Sequence, residues 1–293
     1  TDIDVTGGVP FELTFAVRSA TLAGWADMAR IETTNTPAHR AALRFMRGIN
    51  FGNWLEVPPD QSWGGEIYPT NYAIARAHGF DHIRLPAGWH HYTGPAPDYT
   101  IDPGFFATVD GAIGHCLSNN LAVMVNIHHF DDFMDDWVGQ SNKLVRIWKQ
   151  IAARYADYPE ELAFEIINEP KAPVTTENMN EIYAIVIPEI RKTNPGRTIF
   201  IGPGRWNSMD EVGNLMIPAS DSNIIVTLHN YSPGYFTHQG AGWTGPHDST
   251  TNVVYPGPPP SPMTPVPEAA AYAYVVDWFD QYNTMPTEHN PCS

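Results

Sequence analysis

Six short apolar segments in this chain each end on residues that could do chemistry. The richest reads Leu162-Ala-Phe-Glu-Ile-Ile-Asn168-Glu169-Pro170. A brief apolar run stopped by a proline reads as a buried parallel strand, with Asn168 and Glu169 at its C-terminal tip. The other tips carry Asn50 and Asn53, Arg84 and Trp89, His128 and His129, Trp206 and Asn207, and His229 and Tyr231. Acid, base, amide and aromatic groups at strand ends suit the hydrolysis of a glycosidic bond. One carboxylic acid protonates the leaving oxygen, and a carboxylate acts on the other side of the anomeric carbon. Amides and imidazoles bind the hydroxyls, and aromatic faces stack on pyranose rings.

The elements that would hold these groups alternate. Strand patterns fall at 45–50, 81–85, 121–127, 162–167, 197–201 and 223–228, at intervals of about 27 to 41 residues. Helical patterns lie between them at 71–78, 103–117, 141–155 and 176–192. Pro103 follows the capping residue Asp102, and Pro188 marks an expected kink. Strand and helix in regular alternation predict an α/β fold with a parallel sheet, and the steady spacing favours a (β/α)8 TIM barrel. No glycine-rich phosphate loop follows any strand, which weakens the doubly wound alternative. Only about six β/α units are evident. A Gly- and Pro-rich loop at 232–267 and an amphipathic helix at 268–281 follow them. Residues 1–44 are expected to be a β-rich extension or the tail of a preceding domain, through Phe11-Glu-Leu-Thr-Phe-Ala-Val. Residues 45–293 are then the partial barrel.

Composition narrows the partners. There are 32 acidic against 16 basic residues, a net charge of −16, which argues against nucleic acid and anionic membrane. No apolar run approaches the roughly 20 residues of a membrane span. Cys116 and Cys292 are too far apart for a zinc motif; Cys116 falls in a helical stretch, and Cys292 is left to pair outside the chain. The chain opens at Thr1 without a leader pattern, so a signal has been removed or the chain is an excised piece.

Five segments together carry a resemblance. They are Met46-Arg-Gly-Ile-Asn-Phe-Gly-Asn-Trp-Leu-Glu56, His82-Ile-Arg84-Leu-Pro, Val125-Asn-Ile-His128-His129, Phe164-Glu-Ile-Ile-Asn168-Glu169-Pro170 and Leu228-His229-Asn-Tyr231. In this order, from about residue 45 to 245, the chain resembles glycoside hydrolase family 5, the cellulase family. The resemblance implies a retaining glycoside hydrolase acting on β-1,4-glucan. Glu169 would be the general acid/base, and Asn168 would bind the sugar 2-hydroxyl. Arg84 would orient the nucleophile carboxylate and keep it ionised. His128 matches the family's third-strand histidine, with His129 beside it. His229 and Tyr231 would line the site. Trp89, Trp206 and Trp243 would be stacking platforms. No metal or organic cofactor is implied, and His128 and His129, adjacent on a strand, point to opposite faces.

The nucleophile is the departure. The family places it as a Glu on the seventh strand. Glu165 lies four residues before Glu169, about 13 Å along one strand, against about 5 Å for a retaining pair, and reads as a buried structural carboxylate. Glu288 follows a segment with a proline and no apolar run, a poor strand. Glu56, Asp131 and Asp132 sit on neighbouring loops. The expectation is that the natural protein continues past Ser293 with two more strands and the nucleophile. Without them Arg84 would be an unpaired buried cation. The alternatives are a carbohydrate-binding barrel without catalysis, and a β-mannanase or β-1,3-glucanase of the same fold. A polymeric substrate implies a secreted protein.

Overall fold

In the computed structural model, residues 36–61, 63–242, 245 and 251–254 are described. They fall into two units, residues 36–229 and residues from Asn230 onward. The expected strand at 11–17 and helix at 268–281, and with them Trp243, Glu288 and Cys292, lie outside the described residues.

The first unit holds six parallel strands in one sheet, paired in chain order. They are β1 (Gly48–Asn50), β2 (His82–Leu85), β3 (Ala122–Asn126), β4 (Leu162–Glu165), β5 (Ile199–Ile201) and β6 (Ile224–Val226). The helices are α1 (Pro37–Ala42), α2 (Pro69–Ala77), α3 (Pro103–Ser118), α4 (Asp131–Asp135), α5 (Trp137–Arg154) and α6 (Thr176–Arg191). This is the β/α alternation read from the sequence. Residues 36–44, expected in the N-terminal extension, belong instead to the sheet's unit, where Ala38 N donates to Ser222 O at 3.1 Å.

Local chemistry sets the helix starts. Asp102 accepts from Phe105 N at 2.9 Å, and Pro103 stands at the first helical position of α3. Asp136 accepts from Gly139 N at 2.9 Å, so α5 begins at Trp137, four residues before the expected start. Helix α6 continues through Pro188 to Arg191.

The strands sort their side chains by face. Ile83, Leu85, Val123, Val125, Leu162, Phe164, Ile199 and Ile201 face the helices. They pack with Leu144, Ile147, Trp148 and Ile151 of α5 and with Ile182, Tyr183, Val186 and Ile190 of α6. On the opposite face Phe45, Ala122, Met124, Ala163 and Phe200 form a second cluster. Phe45, expected to start β1, sits there edge-on to His82 and Phe200 at 5.2 and 5.3 Å. Strands β2 to β5 thus bury both faces, as parallel barrel strands do. Two helix side chains reach the strand ends. Trp148 Nε1 donates to Ile166 O at 2.9 Å, and the Tyr183 hydroxyl donates to Gly202 O at 2.7 Å. The core therefore fixes the tips of β4 and β5.

In the second unit, Gly234–Thr237 forms one helical turn, and the Thr237 hydroxyl donates to Tyr231 O at 2.5 Å.

Candidate active site

Above the apolar cluster, the inner face of the sheet turns polar. Arg84 of β2 donates from Nε and Nη2 to the two carboxylate oxygens of Glu165 of β4, at 2.6 and 2.7 Å. Its Nη2 also donates to Asn168 Oδ1 at 2.7 Å, and Nη1 to Asn50 Oδ1 at 3.3 Å. Arg84 is therefore not the unpaired cation expected of a six-stranded sheet: Glu165, read as structural, is its partner. Burying two charges is tolerable here because nearly every donor and acceptor is matched. Holding the Asn168 oxygen also orients that carboxamide, so its NH₂ is the group left to meet a ligand hydroxyl.

Asn126, at the end of β3, extends the network. Its amide donates to Glu165 Oε2 at 3.3 Å and lies 3.1 Å from His128 Nδ1, while its oxygen accepts from Ala87 N at 3.3 Å. With NH₂ toward the carboxylate, His128 Nδ1 must be the acceptor and the ring proton sits on Nε2. The pKa of His128 is held well below the ordinary value, first by burial and then by the positive charges of Arg84 and the neighbouring histidines. His128 is thus a neutral donor, suited to a hydroxyl.

Glu169 sits at the tip of β4 with φ +45°. That left-handed conformation is uncommon outside glycine. Its Oε1 lies 2.7 Å from Nδ1 of His229, which follows β6. Burial, the largest influence, pushes the Glu169 pKa up. The His229 hydrogen bond and the positive charges of His229, Arg84 and His129 together pull it below its ordinary value. Held this way, Glu169 stays ionised. Acting as an acid requires a further negative charge nearby to raise its pKa.

The remaining candidates separate. His129 is exposed, at φ +52°, with its ring 6.3 Å from that of Trp63. Trp206 is 53% exposed at the tip of β5. Trp89 is not a platform: it is fully buried edge-on to Phe105 and Phe106 at 5.1 and 5.3 Å. Its Nε1 donates to Asn126 O at 3.0 Å, so it anchors the polar layer from behind. Tyr231 belongs to the second unit, with its ring 5.1 Å from that of His238. Glu56 is buried and caps its own loop, accepting from Asn53 N and Trp54 N. Asp131 begins α4 and pairs with Lys171 at 2.8 Å. Among the described residues, no three His, Cys, Asp or Glu side chains converge to hold a metal ion.

Asn126 and Glu165 are the members the sequence reading left out of the site; Asn207 was read as a tip residue without a role. The first two had a signal: Arg84, Asn126 and Glu165 all interrupt apolar strands, at positions that the pleat turns to one side.

The profile of the family described as Cellulase (glycosyl hydrolase family 5) matches residues 45–261. Endoglucanase H of Acetivibrio thermocellus is 36% identical over 207 residues, covering 71% of this chain and 23% of that protein. The Cellulase/esterase CelE of the same organism is 31% identical, covering 70% of this chain and 28% of that protein. The chain thus spans about a quarter of the length of these two relatives. A hyperthermophilic endo-β-1,4-glucanase solved with its substrate superposes with a TM-score of 0.69 at 40% identity, covering 71% of this chain and 67% of that one. Cel5A of Thermotoga maritima, solved with cellobiose, gives a TM-score of 0.73 at 34% identity over 85% and 80% of the two chains. The same enzyme solved with mannotriose gives 0.72 at 34% over 86% and 80%.

Proposed function

The chain belongs to glycosyl hydrolase family 5, and we propose that it supplies the acid/base side of an endoglucanase that cleaves β-1,4-glucan with retention. The observation that carries this reading is the Glu169–His229 pair beside a neutral His128 and an oriented Asn168. Glu169 gives its proton to the leaving glycosidic oxygen and then takes one from the attacking water. Asn168 NH₂ and His128 Nε2–H hold hydroxyls of the sugar at the point of cleavage. Trp206 offers an apolar face to a neighbouring sugar ring.

The retaining mechanism needs a second carboxylate. Among the described residues Glu165 is held by Arg84, Glu56 caps its own loop and Asp131 pairs with Lys171. On this reading the nucleophile is a carboxylate outside the described residues. Its charge would also supply the upward push that Glu169 needs to act as an acid. A polymer as substrate further places the protein outside the cell, which fractionation of the native culture tests.

The deciding assay is hydrolysis of a soluble β-1,4-glucan, with the anomer released first identified by NMR. Release of the β-anomer that disappears in Glu169→Gln supports the proposal. Release of the α-anomer would overturn retention, and turnover unaffected by Glu169→Gln would overturn the site. Since Cel5A was solved with both cellobiose and mannotriose, β-1,4-mannan is the second substrate to assay.

A further inference from the structure

The turn Gly204–Asn207, after β5, is built at a cost. Arg205, Trp206 and Asn207 have successive φ values of 52, 59 and 57°. Left-handed backbone costs a non-glycine residue about 1 kcal/mol or more. The turn's main chain is tied on both sides of the candidate catalytic pair. Trp206 N donates to the carbonyl of Pro170, the residue after Glu169, at 3.0 Å. Asn207 O accepts from His229 N, also at 3.0 Å.

The Asn207 side chain folds back over β5. Gly202 follows Phe200 by two residues and so continues its inward face. A Cβ on Gly202 would lie 2.4 Å from Asn207 Oδ1, so only a glycine leaves room for the carboxamide. Asn207 is fully buried, yet neither its oxygen nor its nitrogen has a hydrogen-bond partner in the protein. The β5–β6 ladder runs one step further, Thr227 N donating to Ile201 O at 2.9 Å, which brings Thr227 alongside Gly202. Thr227 follows the inward Ile225 by two residues, and its buried hydroxyl also lacks a protein partner. A carboxamide and a hydroxyl are thus left unsatisfied side by side at one level of the sheet. Unpaired buried polar groups are strongly disfavoured, and a small molecule that both donates and accepts, a water, satisfies the two together.

We propose that Asn207 is a positioning residue for the Glu169–His229 pair, its carboxamide and the Thr227 hydroxyl holding one internal water beneath that pair. The water locks the turn, and the turn's main chain holds Pro170 and His229 in register. The kinetic part of the proposal rests on the hydrolase reading; the geometric part does not.

Two variants of the full chain test it. Asn207→Gly keeps the left-handed backbone and deletes the carboxamide, whereas Thr227→Val keeps the shape and deletes the hydroxyl. The ring ¹H and ¹⁵N resonances of His229 report its bond to Glu169 without turnover. They are expected to shift in Asn207→Gly, and in the same direction but less in Thr227→Val. On soluble β-1,4-glucan, kcat is expected to fall about tenfold or more in Asn207→Gly while KM stays within about twofold. Wild-type His229 resonances and kcat in both variants, whatever their melting temperatures, would overturn the proposal. A wild-type chain inert on glucan would overturn the hydrolase reading alone, and the resonances would still decide the role of Asn207.

Discussion

The guanidinium of Arg84 lies fork to fork on the carboxylate of Glu165, across the inner face of the sheet, with both side chains buried. The two come from strands separated by β3, so the pair fixes the spacing of β2 and β4 and, through Asn168, the tip that carries Glu169. Removing Glu165 takes away the carboxylate to which Nε and Nη2 of this buried cation both donate. Glu165→Ala is expected to lose about 3 to 5 kcal/mol in urea unfolding. Loss of activity with unchanged stability would instead make Glu165 a catalytic carboxylate.

Glu169 should behave differently. It is partly exposed, and Glu169→Gln keeps its shape, so hydrolysis should fall by about 10² to 10⁴ with the fold retained. The pH dependence has a definite sign. The folded pKa lies below the ordinary 4.5, so the stability that ionised Glu169 contributes is present above that ordinary value and is lost as pH falls through the folded one. The gap in melting temperature between wild type and Glu169→Gln should therefore close as pH is lowered from 5 toward 3. A gap that widens on acidification would show the shift to have the opposite sign.

Which parts of this site were legible in the sequence follows from what each signal encodes. Apolar runs punctuated by Pro, Gly and Asn mark strand ends, so the six strands and the residues at their tips could be read directly. Its distance from Glu169 along the strand then made Glu165 readable as structural, but not its pairing with Arg84, because residues 81 positions apart leave no local trace. Trp89 was misjudged for a related reason. A tryptophan just past a strand tip has the composition of a platform, and only packing on Phe105 and Phe106 decides that it faces inward. The left-handed residues His129, Glu169 and Asn207 were invisible, since tertiary contacts impose that conformation against local preference.

His90 should make stability sensitive to acid. Its ring stacks on Phe130 at 4.4 Å and lies 3.9 Å from that of His91. Burial first, and then the positive charges of His91, Lys143 and His129, bring its pKa down to about 2. The unfolded chain takes up a proton at this residue near pH 6.5 and the folded chain does not. Stability should therefore fall by about 1.4 kcal/mol per pH unit below that point on account of this residue alone. His90→Phe keeps the stack and removes the titration. Between pH 7 and pH 5, wild type should lose about 2 kcal/mol more than the variant in urea unfolding. Equal losses would show that the folded protein accommodates the imidazolium.

Trp206 separates binding from folding. It is 53% exposed, so its removal costs little packing, and its main chain is anchored to Pro170 beside Glu169. An indole anchored there would meet a sugar ring next to the bond that the proposed acid/base Glu169 acts on. Trp206→Ala should leave the melting temperature nearly unchanged and weaken binding of a long cello-oligosaccharide about tenfold, or about 1.4 kcal/mol, by calorimetry. The φ of 59° adds a control. Trp206→Gly relieves the left-handed strain, so it should bind as weakly as the alanine variant while melting higher. Binding that survives in both variants would remove Trp206 from the cleft and leave the exposed Trp63, near His129, as the platform to test next.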